Sequence, residues 1–183
     1  IPLIDLSVLE TDSLRLLYFD PTETYLTPYV ARSFQNSLNF EQRIFGWEPW
    51  DQVTLLLKDF GDFGNAAARS SPNNALLIDI APLSLAYETF SPGERFFTLT
   101  NHEVTHVALM DVWNERDARW RRIFGGKPMP VQEHPESILY NYLATPRVNV
   151  PRWFLEGSAV FMETWMAGGF GRAQGAYDEM VFR

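Results

Sequence analysis

The chain has 183 residues, 46% hydrophobic and 15% aromatic, enough to enclose one sizeable core or two small lobes sharing a cleft. A charged fraction of 21% is too low for disorder, and a net charge of −8 disfavours a nucleic-acid partner, because nothing offsets phosphate repulsion. Cysteine is absent, which excludes disulfides, thiolate metal sites and thiol catalysis.

The compartment stays open on these grounds, with a periplasmic, secreted or envelope-associated setting favoured over a cytoplasmic one. No apolar run reaches the roughly 18 residues that a membrane-spanning helix needs. The first residue is Ile1 rather than Met, so the chain is expected to be part of a longer protein whose other domains are partners.

Residues 14–19 (Leu-Arg-Leu-Leu-Tyr-Phe) read as a strand closed by the turn-forming Asp20-Pro21. Val30, Phe34, Leu38 and Ile44 recur at helical spacing and predict a helix over 27–45, ended by Gly46 and Pro49. Val53-Thr54-Leu55-Leu56-Leu57 predicts a buried strand, 59–74 a Gly/Ser/Asn/Ala-rich loop, and 75–80 a further strand stopped by Pro82. Ser91-Pro92-Gly93-Glu94 has the form of a capping box and opens a helix expected to run to about Trp113. Residues 114–134 read as a connection holding no more than a short helical turn, 135–143 as a helix, and Pro151 opens another that Gly168-Gly169 ends. The expected fold class is α+β in a single domain, a small sheet lobe over 1–90 followed by a helical lobe over 91–183. The last residues, 177–183, read as a helix still in progress, its apolar side chains packing against further sequence.

The chemistry concentrates in His102-Glu103-Val104-Thr105-His106, a His-Glu-x-x-His motif inside the capped helix. Residues four apart share a helical face, so both imidazoles can reach one ion, and zinc takes nitrogen ligands at about 2.0–2.1 Å. Glu103 adjoins His102 and can serve as general base towards metal-activated water without being a ligand. A hydrolytic zinc site needs a third protein ligand and one open position. The metzincin continuation would require Gly and His where this chain has Leu109 and Val112, and a cysteine ligand is impossible. His134 is the remaining histidine, in the Pro-flanked run Glu133-His134-Pro135-Glu136. Glu156 is the stronger candidate: it shares a helical face with Ala159 and Glu163, and the small Gly157 and Ala159 let a second helix approach.

Trp153-Phe154-Leu155-Glu156-Gly157-Ser158-Ala159 resembles the Glu-Gly-x-Ala segment of the aminopeptidase N-like gluzincins, in which the Glu is the third zinc ligand. The element order upstream also looks like that superfamily, most of all the bacterial peptidase MA-like domains found within long proteins. The likeness covers most of the chain, strongly at 101–111 and 151–165. It implies a zincin-like fold, a zinc cofactor and a peptide or protein substrate. Residues 59–82 would supply a turn and an edge strand that pairs with the substrate backbone beside the metal, the edge strand being 75–80. Two positions depart from the pattern. Val160 stands where thermolysin has an Asp, and Leu155 where aminopeptidase N has an Asn.

Carboxylates commonly orient ligating imidazoles through their second ring nitrogen, and Asp111 and Glu163 are candidates for that role. Candidates to stabilise an oxyanion are Tyr140, Tyr142, Tyr177, Arg147 and His134, among which the sequence does not choose. The Trp and Phe residues between Trp153 and Phe170 read mostly as core, and Arg116, Arg119, Arg121 and Arg122 around Trp120 as an exposed turn or contact surface. The combined expectation is a zinc metallopeptidase with His102, His106 and Glu156 on the metal and Glu103 as base. The alternatives are an inactive zinc-containing binding module and a zinc hydrolase of non-peptide amides.

Overall fold

The computed structural model describes residues 5–62, 64–81, 95–144, 150–169, 171–175, 179, 180 and 183. They form a mixed α+β fold with one five-stranded sheet and five α-helices. Strands β1 (Asp5–Glu10) and β2 (Leu14–Asp20) make an antiparallel hairpin, and helix α1 (Thr27–Phe45) follows a short 3-10 turn. Strands β3 (Val53–Lys58), β4 (Ala66–Arg69) and β5 (Ala75–Asp79) complete the sheet in the order β1-β2-β3-β5-β4. Helices α2 (Arg95–Asp111), α3 (Glu115–Ile123), α4 (Pro135–Leu143) and α5 (Arg152–Met166) follow.

Three central strands, β2, β3 and β5, are mutually parallel. Parallel strands carry apolar side chains on both faces, which explains why these segments read as nearly continuous apolar runs. The register sets Leu9, Leu16, Leu55, Leu76 and Ala68 in one row across the sheet. Leu16, Leu55 and Leu76 are fully buried there, packed with Val30, Phe34 and Leu38 of α1. Helix α2 adds Phe96, Leu99, Val104, Val107 and Ala108 to the same core, so its histidine-bearing turn is anchored directly on the sheet. Between α1 and α2 the contact is polar: Ser37 donates to Asn101 Oδ1, and Thr105 Oγ1 donates to Glu41 Oε1 at 2.7 Å.

Helix α1 has the bounds its spacing predicts, and Gly46 closes it in the left-handed region at φ 58°, where a side chain would be strained. The Ser91–Glu94 capping box lies outside the described residues. Other expectations are corrected. Residues 59–74 contain β4, an Ala-Ala-Ala-Arg strand of low intrinsic β preference, held by its antiparallel pairing with β5. Consequently 75–80 is not the edge: β5 lies between β3 and β4, and β4 is the edge strand. Residues 114–134 hold a nine-residue helix, α3, because Asn114 and Asp117 form a reciprocal capping box. Its Arg121 is buried rather than exposed, with its guanidinium over the Trp50 ring. The aromatics of α5 are not mainly core either: Trp153 is 76% exposed, Phe161 56% and Trp165 51%. Among the described residues, no helix is long and apolar enough to cross a membrane.

Candidate metal centre

The central part of α2 is buried on nearly all sides, and its histidine turn faces α5 across a cleft of about 470 Å³. Val104, Val107 and Ala108 fix one side of the helix in the core, and that rotation turns His102, Glu103 and His106 to the cleft floor. The edge strand β4 forms one wall through Ala66, Ala67 and Ala68; Leu155, Glu156 and Arg152 of α5 form another. Alanine side chains on β4 keep that wall shallow.

The two imidazoles meet edge to face, with Nε2 of His106 3.0 Å from Nε2 of His102. Glu156 Oε2 stands 3.5 Å from the first of these groups, His102 Nε2, and 3.6 Å from His106 Nε2. Glu103 joins the histidines in a cluster whose ligand atoms all lie within 4.8 Å of one another. Two nitrogens held at about 2.0–2.1 Å on a tetrahedral ion are roughly 3.3–3.4 Å apart, so the triangle of His102, His106 and Glu156 has the size a small divalent cation imposes. Imidazole and carboxylate donors also suit such an ion. Glu103 Oε2 and His106 Nδ1 are buried and have no hydrogen-bond partner among the described residues. Burial without a partner is costly, and an orphaned carboxylate oxygen beside two imidazoles marks a place for an ion or water. The residues fit a metal.

Electrostatics point the same way. Burial pushes His106 down to about 4, with neighbouring His102 adding to the shift, so its ring is neutral at neutral pH. Burial pushes Glu103 up to about 7, partly opposed by His102. Glu163, on the same face of α5 as Glu156, is fully buried and lies 2.9 Å from His102 Nδ1. Desolvation alone would raise its pKa, but hydrogen bonds from Arg172 and His102 outweigh it and hold the carboxyl below its ordinary range.

The remaining sequence candidates lie elsewhere. Asp111 does not touch the histidines. It accepts from the Trp50 backbone at 2.8 Å and from Asn74, Arg121 and Lys127 at 2.8–2.9 Å, a buried charge network at the end of α2. Tyr140 is buried beside Arg121, Tyr142 is 87% exposed, and His134 pairs with Glu136 at 3.1 Å on the surface. None of these three lines the cleft. Tyr177 and Arg147 lie outside the described residues. Among the described residues, the cations that line it are Arg152 and Arg172, neither singled out from sequence. Arg172 follows Gly171 in a short 3-10 turn after α5 and has no periodic relation to either motif, so no pattern could have selected it. Comparison with protein families, curated proteins and solved structures finds no match to this chain.

Proposed function

We propose that this chain is a zinc-dependent peptidase unit of the gluzincin type, with a zincin-like arrangement of edge strand, motif helix and ligand helix. His102, His106 and Glu156 would hold the metal, and Glu103 would act as general base. The observation that carries this reading is the triangle of two imidazole nitrogens and one carboxylate oxygen, with sides of 3.0, 3.5 and 3.6 Å, closed by an orphaned glutamate in a walled cleft. A structural zinc would have no use for Glu103.

Bound zinc supplies Lewis acidity, polarising a carbonyl oxygen and making water acidic near neutral pH. The chain's own residues do the rest. Glu103 takes one proton from the water that attacks the carbonyl carbon, and passes it to the leaving nitrogen as the C–N bond breaks. β4, the edge strand among the described residues, turns a backbone edge to the cleft wall, where an extended peptide can lie as an added strand. Its alanines leave room for the peptide's side chains.

The test is to load the purified chain with zinc and incubate it with a mixture of unstructured peptides, following new termini by mass spectrometry. The reading predicts cleavage that a chelator abolishes and added zinc restores. One zinc per chain with no cleavage of any peptide would instead support the inactive binding module.

A further inference from the structure

We propose that Arg172 is a positioning residue for this metal centre, acting through Glu163 to fix His102 in the tautomer that presents Nε2 to the cleft. The inference deepens the zinc reading and rests on it. Arg172 grips both oxygens of Glu163, with Nε 2.7 Å from Oε1 and Nη2 2.7 Å from Oε2. Such two-point pairing fixes the plane of the carboxylate as well as its place. The same Oε2 lies 2.9 Å from His102 Nδ1, and Arg172 Nη2 lies 2.8 Å from that nitrogen.

This three-way contact has two possible proton arrangements. If Nδ1 accepted from Arg172, its lone pair would face a carboxylate oxygen and the ring proton would sit on Nε2, blocking a metal. If Nδ1 carries the proton, it donates to Glu163 and the Nε2 lone pair is free. An ionised carboxylate accepts more strongly than a neutral ring nitrogen, and the two-point grip of Arg172 holds Glu163 Oε2 against Nδ1, so the second arrangement prevails. Arg172 thus selects the useful tautomer through Glu163.

The chain builds this grip through a close backbone approach. A Cβ placed on Gly171 would meet Thr164 Oγ1 at 2.2 Å and Thr164 Cα at 2.4 Å. Ala173 N donates to Thr164 Oγ1 at 3.1 Å, and Gly169 N to the Thr164 carbonyl at 2.9 Å. Thr164 follows Glu163 in α5, so clamping the turn on Thr164 brings Arg172 against Glu163.

The experiment measures zinc affinity by chelator competition for the wild-type chain, Arg172→Ala, Arg172→Lys, Glu163→Gln and the Arg172→Ala/Glu163→Gln pair. Arg172→Ala and Glu163→Gln should each weaken zinc binding about 10- to 100-fold. The double variant should bind no more weakly than Glu163→Gln alone, because the arginine acts through that carboxylate. Arg172→Lys keeps the charge but not the fork, so it should restore only part of the affinity, and it carries the test if the alanine variant does not fold. Wild-type affinity in Arg172→Ala or in Arg172→Lys, or losses that multiply in full in the double variant, would overturn this inference alone. A wild-type chain that binds no zinc would overturn the peptidase reading itself.

Discussion

Glu41 and Glu103 are both buried acids raised to about 7, yet they stand in different surroundings. Glu103 faces a cleft, whereas Glu41 is sealed between α1 and α2, where Thr105 bonds one oxygen and Oε2 has no partner among the described residues. Burial is the main cause of the Glu41 shift from its ordinary 4.5. A folded-state pKa above the unfolded one means that folding favours the protonated form. Stability is therefore full below about pH 4.5 and falls as pH rises through 7. Glu41→Gln removes this dependence. Urea midpoints should show the variant gaining on the order of 2–3 kcal/mol relative to wild type between pH 5 and pH 8. A gap that does not change with pH would show that Glu41 is not the source. Among the proposed ligands, Glu156 differs from the histidines in being half exposed, with Arg152 3.7 Å from its other oxygen. The spacing of the two histidines made their convergence legible from sequence. The pairing of Glu163 with His102 was legible only as one of two choices, since a buried acid and a network acid look alike in a string of letters.

At the level of elements, sequence succeeded where a segment's own residues decide its form. The stripe of Val30, Phe34 and Leu38 and the left-handed Gly46 are local facts, and α1 follows from them. Strand β4 is the opposite case: three alanines and an arginine adopt extended form because β5 pairs with them. That tertiary choice moved the edge of the sheet from 75–80 to 66–69 and brought the small side chains to the cleft. Helix α3 was missed because its cap uses Asn and Asp in place of the commoner Ser/Thr and Glu, beneath a strongly basic run. The cap makes a prediction of its own. Asn114→Ala should cost about 1 kcal/mol in thermal or urea unfolding. Phe34→Ala, a fully buried ring of α1 against the sheet, should cost roughly 3–5 kcal/mol. Equal costs for the two would mean that α3 is tied into the core more strongly than its exposed face suggests.

Across the whole molecule, two polar systems lie at different points along α2. One is the candidate centre at His102 and His106. The other is the network at Asp111, which joins the segments before β3 and β5, through Asp51 and Asn74, to Arg121 of α3 and to Lys127. Asp111 sits at a helix C-terminus, where a negative charge is unfavourable, and the two cations offset it. Asp111→Ala should therefore destabilise the fold by about 3–5 kcal/mol, by removing the carboxylate that the two buried cations share and leaving Lys127 only Asp51. It should leave the metal content of the folded protein unchanged, which a role in supporting the histidines would not allow. The central claim is that His102, His106 and Glu156 hold zinc while Glu103 moves the proton. It is tested most directly by Glu103→Gln, with metal content and peptide hydrolysis measured on the same sample. One zinc per chain is expected in both proteins, with a rate at least about 100-fold lower in the variant. Zinc lost from the variant, or hydrolysis at the wild-type rate with glutamine in place, would contradict it.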